Sequence, residues 1–469
     1  MKIGKHVTRT IAFLLVLSFA VFIVQGPFGI DRVRSYRNAK GFFIQPRDSL
    51  DGVFIGASNV HAFWQAAFGW HDRGIAIYNL SFDSLPITAV QYLVEEARKT
   101  QPNALYLICL NTFKRQTTAT DVSRIHGVVD YMPLSVNKLR YIHYVADRSS
   151  LGPLERLELY LPIIRFHSRW DELESWAFGS GMNRYMNAMT TSAFSNESVD
   201  ITDDYAVYDT RAEAPEDVVG QFEALLDYLD REHVNALFVK VPQAEIKSRQ
   251  GRMNALEDLL KARGYPCLDM LSAIDEIGID TRHDFYNKAH TNVYGSLKIC
   301  HYMMDYLEEH YSFADKRGQA AFADWDIAAE AYDRLVDGWI LPFDRERAPW
   351  TPLKASGQKA TVVDGADGPS VRLTWKASAG AEGYVVYRKN SGKNNGRWIL
   401  AATVGADDLS YVDRDVTYGG QYKYCVAPFA DLEGVRAYGD YQIKGASVRI
   451  TREEAPVATD ESSAGGDED

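Results

Sequence analysis

Between residues 51 and 311, short apolar runs alternate with segments of helical periodicity. The apolar runs predict β-strands at residues 53–55, 76–80, 104–110, 236–241 and 267–270. Apolar positions recur with helical spacing at residues 87–99, 215–232, 252–263 and 296–310, which predicts helices there. Apolar strands that alternate with helices favour a parallel sheet covered by helices on both faces. We therefore predict a three-layer α/β/α sandwich that binds ligands at the carboxyl ends of its strands.

A long segment, residues 113–214, separates the third predicted strand from the fourth. It is rich in aromatic residues and has helical patterns at residues 138–147 and 154–166. A connection of this length is usually functional or forms a subdomain. We expect a helical insertion that serves as a lid or docking surface, or else as extra packing.

The periodicity changes to two beyond a helical stretch at residues 319–336 and a proline-rich linker. Predicted strands at residues 371–375, 384–388, 398–404, 421–429 and 444–450 are separated by Gly, Asn and Asp turns, a pattern typical of a β-sandwich. The segment resembles a fibronectin type III domain, with Trp375 as the second-strand tryptophan and Tyr422 as the tyrosine corner. We assign residues 313–347 to a helical linker, 348–452 to this domain and 453–469 to an acidic, disordered tail.

The N-terminus carries the pattern of a targeting or anchoring element. Lys2, Lys5 and Arg9 precede residues 11–24, which are apolar apart from Ser18. We expect residues 1–30 to form a signal-anchor or transmembrane segment that places the bulk of the chain outside the cytoplasm. Because no A-x-A cleavage site follows, an uncleaved anchor in the cell membrane is favoured over a cleaved signal peptide and a secreted protein.

Composition excludes several functional classes. The chain of 469 residues has a net charge of -12 and no basic stripe interleaved with aromatics, which argues against a nucleic-acid partner. Its four cysteines are scattered singly, so a structural zinc site is not expected. The chain contains no Walker loop, no GxGxxG and no HExxH motif, and we predict no cofactor and no bound metal.

Candidate chemistry begins in the stretch DGVFIGASNVHAF, residues 51–63. A short strand stops at Gly56 and Ala57, and a helix is predicted from residue 59 to 68, so Ser58 lies at a strand-to-helix elbow. An elbow exposes the hydroxyl and leaves the first helical N–H groups free to bind an anion. Such a serine is either a nucleophile or a helix cap. His61, one turn later, is predicted on the helix surface, with a pocket-lining position as the alternative.

A second stretch, DFYNKAHTNVYGS at residues 284–296, precedes the last helix of the α/β region. A histidine after the last strand of a parallel sheet lies at the same edge as an elbow after the first strand. Ser58 and His290 are therefore a candidate nucleophile and base. Asn292 is predicted to cap the helix that follows.

These motifs, in this order, resemble the SGNH (GDSL-type) hydrolases, and among them the membrane-anchored group that is DltD-like or alginate-acetylation-like. FIGASN resembles the first block, YNLSFDS the second, LICLN the third and NKAHTNVYG the last. The resemblance covers residues 48–312. It implies Ser58 as nucleophile, His290 as base, and an oxyanion hole from Ser58, Ser81 and Asn111.

One position departs from the family pattern. The family places an aspartate three residues before the histidine, and this chain has Asn287. An asparagine can orient the imidazole but cannot stabilise an imidazolium through charge. Asp284 is the alternative if the loop folds back, with His283 beside it.

The expected function is an extracytoplasmic, membrane-anchored serine O-acyl esterase or acyltransferase that acts on a cell-envelope polysaccharide. The resemblance implies an acylated envelope polymer as substrate and, for transfer, a membrane-bound O-acyltransferase as partner. The alternative is a catalytically degenerate SGNH-fold protein that binds wall polymer or such a partner. Asn287 and Ser81, which depart from the family blocks, motivate that alternative.

Overall fold

The structure is a computed structural model that describes residues 2–25, 34–114, 122–173, 195–365, 368–391 and 396–451. The chain divides into two compact units, Met1–Asp333 and Arg334–Asp469. The predicted acidic tail at residues 453–469 lies outside the described residues.

A five-stranded, all-parallel sheet in the order β2-β1-β3-β4-β5 organises the N-terminal unit. Its strands are β1 (Gly52–Gly56), β2 (Ile77–Ser81), β3 (Leu105–Cys109), β4 (Ala236–Lys240) and β5 (Cys267–Asp269). Two further strands of this unit, β6 (Phe285–Asn287) and β7 (His290–Thr291), form a separate two-stranded sheet. Every residue of the first four strands is buried, which is why they appear as continuous apolar runs in the sequence. The predicted α/β architecture with a parallel sheet is confirmed.

Helices form most of the remaining N-terminal unit. They are α1 (Lys2–Gln25), α2 (Arg34–Phe43), α3 (Ser58–Phe63), α4 (Ala66–Arg73), α5 (Ile87–Arg98), α6 (Val122–Val129), α7 (Val136–Arg148), α8 (Pro153–Tyr160), α9 (Pro162–Phe166), α10 (Glu216–Arg231), α11 (Lys247–Arg263), α12 (Ile274–Ile277) and α13 (Val293–His310), and α14 (Ala323–Trp339) crosses the unit boundary. As predicted, Asn292 caps α13, because its side chain accepts hydrogen bonds from the N–H groups of Tyr294 and Gly295.

The helix predicted at residues 59–68 is in fact two helices. The backbone of Trp64 is extended, with φ -93° and ψ 117°, so α3 ends at Phe63 and α4 begins at Ala66. This break lets the Trp64 indole N–H donate to the carbonyl of Ile77, 3.2 Å away in β2. Trp64 and Phe63 both pack against Phe54 of β1. Core packing therefore overrides the helical pattern here.

The insertion after β3 contains the helices α6 to α9, and Pro162 begins α9 where one continuous helix was predicted. Residues 115–121 and 174–194 of the insertion lie outside the described residues. In the described part of the chain, none of the helices combines the length and the apolarity needed to cross a bilayer.

The C-terminal unit is a β-sandwich region. After the short helix α15 (Pro342–Arg345), its strands are β8 (Trp350–Lys354), β9 (Ser356–Gly365), β10 (Gly368–Lys376), β11 (Gly383–Asn390), β12 (Ile399–Gly405), β13 (Ser410–Asp413), β14 (Gln421–Leu432), β15 (Val435–Asp440) and β16 (Ala446–Arg449). One sheet has the order β13-β10-β9, and the other has the order β12-β11-β14-β15-β8 with β16 paired to β14.

The two aromatic residues singled out in the sequence of this unit are both in place. Trp375 is buried against Tyr384, and the Tyr422 hydroxyl accepts a hydrogen bond from the N–H of Thr417, 3.1 Å away. That upstream contact is the geometry of a tyrosine corner.

Candidate active site

Three side chains from two distant parts of the sequence form a hydrogen-bonded chain at the edge of the sheet. Ser58 Oγ lies 3.0 Å from His290 Nε2, and Asn287 Oδ1 lies 2.9 Å from His290 Nδ1. Ser58 and His290 are half-buried, so the hydrogen-bonded side chains are packed by their surroundings and still accessible to a substrate. The structure thus brings together the predicted nucleophile, base and orienting amide.

A small hairpin positions the histidine. Strand β6 (Phe285–Asn287) pairs antiparallel with β7 (His290–Thr291), and Asn287 lies directly opposite His290 in the register. The ring of Tyr286 stacks on His290, with ring centres 5.4 Å apart and planes 17° apart. The hairpin therefore fixes both the plane of the imidazole and its partner.

Hydrogen-bond donors determine which ring nitrogen carries the proton. The N–H of Ala289 donates to Asn287 Oδ1 at 2.9 Å, and an N–H can donate only to the amide oxygen. The oxygen that faces His290 Nδ1 is thus an acceptor, so Nδ1 carries the hydrogen. Nε2 is then unprotonated and accepts the Ser58 hydroxyl proton. A neutral amide sets the tautomer that an aspartate sets in a serine protease.

Asp284, the predicted alternative to Asn287, has other partners. Its buried carboxylate accepts hydrogen bonds from Lys298 Nζ at 2.7 Å and from the N–H of Asp280 at 2.8 Å, and it contacts His283 Nδ1 at 3.0 Å. Burial alone would raise the pKa of Asp284, but the charge of Lys298 and the contact with His283 lower it overall. Asp284 is therefore an ion-pair residue beneath the hairpin, and Asn287 is the residue that contacts His290.

Asn111, the predicted oxyanion donor, lies two residues after β3, and its side chain pairs with Val241, the residue after β4. Its Oδ1 accepts from the N–H of Val241 at 2.9 Å, and its Nδ2 donates to the carbonyl of Val241 at 3.1 Å. These two bonds use one amide hydrogen and fix the plane of the carboxamide. The second amide hydrogen stays available on a group that lines the cleft.

Ser81 and His61 lie deeper than the sequence predicted. Ser81 is fully buried, and its Oγ contacts His61 Nδ1 at 2.9 Å and Asn79 Oδ1. His61 is also fully buried, so the predictions of a helix-surface or pocket-lining position for it are both wrong. The residues near the second block that line the cleft are Ser84, its last residue, and Leu85, which follows it.

The cleft above Ser58 has a volume of about 280 Å³. Besides the predicted residues, its walls include side chains that sequence reasoning did not single out: Ser84, Thr112, Lys114, Arg124 and Gln243. Lys114 Nζ lies 2.8 Å from the Glu245 carboxylate. Burial alone would raise the pKa of Glu245, but the positive charge of Lys114 lowers it.

Ser84 has a positive φ of 54°, which no sequence motif signals. Among the described residues, no cluster of three or more His, Cys, Asp or Glu side chains is arranged to hold a metal ion.

Comparison with solved structures yields fibronectin type III-like domains and fragments of larger enzymes. A Fn3-like protein from Clostridium thermocellum is 25% identical over 22% of this chain and 98% of that one, with a TM-score of 0.17. The fn3 domain of human collagen alpha-1(XX) is 13% identical over 24% of this chain and 93% of that domain, also with a TM-score of 0.17. A β-1,2-glucanase from Parabacteroides distasonis is 15% identical over 23% of this chain and only 14% of the enzyme, again at 0.17.

TM-scores this low say nothing of what the chain does; the β-rich unit is defined by its own strand pairing. No protein-family model matches the chain, and no curated protein matches it.

Proposed function

We propose that the N-terminal unit is an SGNH-type serine O-acyl esterase or O-acyltransferase. The single observation that carries the proposal is the chain Ser58 Oγ to His290 Nε2 at 3.0 Å and His290 Nδ1 to Asn287 Oδ1 at 2.9 Å. A nucleophile, a base and an orienting group in series are the parts that acyl transfer needs.

In the first half-reaction, Ser58 Oγ attacks the carbonyl carbon of an ester while its proton passes to His290 Nε2. The tetrahedral intermediate collapses, the C–O bond to the alcohol breaks, and His290 returns the proton to the leaving oxygen. In the second half-reaction, water or an acceptor hydroxyl attacks the acyl-Ser58 ester with the same proton transfers in reverse. Water gives an esterase, and a sugar hydroxyl gives an acyltransferase.

The negative oxygen of the intermediate needs fixed donors. The N–H of Ser58, at the start of α3, and the second amide hydrogen of Asn111 are the donors we assign. The two bonds from Asn111 to Val241 support this role, because they hold the amide in one orientation before substrate binds. Ser81 was the third predicted donor through its backbone N–H, and it stays a prediction; the loop residues that reach the cleft are Ser84 and Leu85.

The proposed substrate is an acylated cell-envelope polysaccharide, and the proposed location is the outer face of the cell membrane. The apolar run at residues 11–24 behind a basic N-terminus supports a tether. In α1, Phe13, Leu15 and Val16 are more than 60% exposed, so these apolar side chains are not covered by the protein. For transfer, we propose a membrane-bound O-acyltransferase as the acyl donor.

Ser58→Ala tests the proposal directly. The wild-type protein is expected to hydrolyse p-nitrophenyl acetate and to bind a fluorophosphonate probe covalently at Ser58, as located by peptide mass spectrometry. Ser58→Ala should lose both, whereas Ser410→Ala, at an exposed serine of β13, should keep both. If the wild type labels no faster than Ser58→Ala, the enzyme proposal is wrong.

Two observations favour a second candidate, a degenerate SGNH-fold protein that binds envelope polymer or an acyltransferase partner. The imidazole of His290 rests on a neutral amide, which gives no charge stabilisation to an imidazolium. In addition, α13 begins at Val293, and the positive end of its dipole disfavours a nearby cation. If the protein is of this kind, the wild type and Ser58→Ala should bind an acylated polysaccharide with equal affinity, and neither should hydrolyse or transfer its acyl groups.

A further inference from the structure

We propose that His61 is a positioning residue for Ser58 and acts through Ser81 and Asn79; the inference rests on the proposed function. His61 lies one turn after Ser58 on α3 and is fully buried, so it does not contact substrate. Its Nδ1 lies 2.9 Å from Ser81 Oγ at the end of β2. The pair joins the helix that carries the nucleophile to the neighbouring strand.

Helix α3 depends on such contacts because it has only six residues, fewer than an isolated helix needs to be stable. On one side, Ser296 Oγ and Cys300 Sγ of α13 contact the carbonyl of Phe63 at 3.1 Å and 3.0 Å. On the other side, Asn79 Nδ2 donates to the carbonyls of Val60 and Trp64 at 3.2 Å and 3.1 Å. The rotation of α3, and with it the direction of Ser58 Oγ, is set between these two sets of contacts.

The hydrogens of the network can be assigned one by one. Two backbone carbonyls accept from Asn79 Nδ2, so the opposite atom of that amide is the oxygen. The Ser81 hydroxyl therefore donates its single hydrogen to Asn79 Oδ1. Ser81 Oγ must then accept from His61, which makes Nδ1 of His61 a donor. The structure places Asn38 Nδ2 3.3 Å from the same nitrogen; because a protonated Nδ1 cannot accept a hydrogen bond, this assignment requires the Asn38 amide to be turned so that its oxygen faces Nδ1.

A directional relay of this kind has a cost that simple packing would avoid. Burying a polar side chain is unfavourable unless it is hydrogen-bonded, and an apolar residue would fill the same space. What the relay adds is a fixed angle between α3 and β2, because hydrogen bonds weaken steeply when bent. An error of about 1 Å in the position of a catalytic group can lower a rate about 100-fold. His61 thus acts on the reaction through the position of Ser58.

Two amide substitutions separate positioning from packing. In His61→Asn the side-chain nitrogen occupies the place of Nδ1 and can still donate to Ser81. In His61→Gln the nitrogen occupies the place of Nε2 and cannot. The measurement is the second-order rate constant of fluorophosphonate labelling at Ser58, with the labelled fraction and the melting temperature recorded for each variant. A residue that only supports folding changes the labelled fraction and not the rate constant of the folded protein.

We expect His61→Gln and Ser81→Ala each to lower the labelling rate constant about 10- to 100-fold, and His61→Asn to stay within about 3-fold of wild type. The double variant His61→Gln/Ser81→Ala should be no slower than the slower of its two single variants, because both substitutions break the same contact. The kcat for p-nitrophenyl acetate should fall in parallel while KM stays unchanged. If folded His61→Gln labels at the wild-type rate, the positioning role is wrong and the esterase proposal stands. If the wild type does not label at all, both proposals are wrong.

Discussion

Asn287 Oδ1 accepts the Nδ1 hydrogen of His290 across a two-strand hairpin, at a distance of 2.9 Å. The same oxygen accepts the N–H of Ala289, so it cannot rotate away from the ring without losing a backbone bond. The amide therefore supplies orientation and the correct tautomer, and it leaves out negative charge. Steps that form the imidazolium of His290 are therefore expected to be slow, because no negative charge stabilises it. Orientation of the neutral imidazole toward Ser58 is expected to be unaffected.

Asn287→Asp adds the missing charge with almost no change of shape. A carboxylate oxygen at this position keeps the bond from Ala289 and stabilises the imidazolium that forms as Ser58 attacks. The reverse change in a serine protease lowers kcat about 10⁴-fold, largely through the wrong histidine tautomer, which the amide here avoids; only the charge effect remains, and we expect an increase in kcat of about 10-fold. Steady-state hydrolysis of p-nitrophenyl acetate measures it, with Ser58→Ala/Asn287→Asp as the blank. No gain in a folded variant would favour the binding protein over the enzyme.

Asn111→Ala tests the proposed oxyanion donor. Loss of one such donor usually lowers kcat about 100- to 1000-fold with little change in KM. The same change leaves the N–H and carbonyl of Val241 without their side-chain partner, so stability should fall by about 1–3 kcal/mol as well. Gln243→Ala is the matched control, because Gln243 also lines the cleft with an amide, whose nitrogen donates to Glu245 and whose oxygen accepts from Asn59 Nδ2 at 3.5 Å. A kcat loss that merely follows the folded fraction would contradict the oxyanion role.

The elbow itself requires glycine at position 56. A Cβ there would lie 2.4 Å from Val60 Cγ2 and 2.6 Å from Cys109 Cβ, closer than atoms can approach. We expect Gly56→Ala to cost about 1–3 kcal/mol and to lower activity, since Val60 lies on α3 with Ser58. Gly220→Ala, in α10 with no atom within 4 Å of the new methyl, should gain about 0.5–1 kcal/mol and keep full activity. Urea denaturation and esterase assays of the two variants decide the comparison.

The sheet was predictable from the sequence, and much of the supporting chemistry was not. Strands such as β1 and β3 are buried throughout, so their positions follow from apolarity alone. The hairpin of Asn287 and His290 has strands of three and two residues, too short for any periodicity to register. Strand β9 in the C-terminal unit was missed for a different reason: it has ten residues, but most of them are exposed and no apolar face marks a strand.

His61 shows the limit most clearly. Its burial depends on Ser81, 20 residues away, and on Asn38, 23 residues away, and no local pattern announces either partner. The elbow and the candidate pair Ser58 and His290 were predictable because parallel strands bring their carboxyl ends to one edge. The sequence did not predict the residues that hold this pair in place, such as His61 and its partners Ser81 and Asn38.

Asp284→Asn separates the stability of the hairpin from its chemistry. The pKa of Asp284 is lowered from its ordinary value of 3.8, although burial alone would raise it, because Lys298 and His283 favour the carboxylate. A depressed folded-state pKa contributes stability that is fully present above the ordinary value and is lost as pH falls through the lowered one. The wild type should therefore lose this contribution as the pH falls from above the ordinary value of 3.8 through the lowered pKa, and Asp284→Asn should lack that part of the pH dependence.

At neutral pH the asparagine leaves Lys298 without its carboxylate, and removal of one partner from a buried pair costs about 3 kcal/mol. Hydrogen–deuterium exchange of peptides from β1 and β3, measured in urea at each pH, reports on the N-terminal unit alone. Because Asn287, and not Asp284, contacts His290, the kcat of the folded variant should stay within about 3-fold of wild type. A loss of kcat as large as that of Ser58→Ala, with the fold intact, would mean that Asp284 orients the histidine after all.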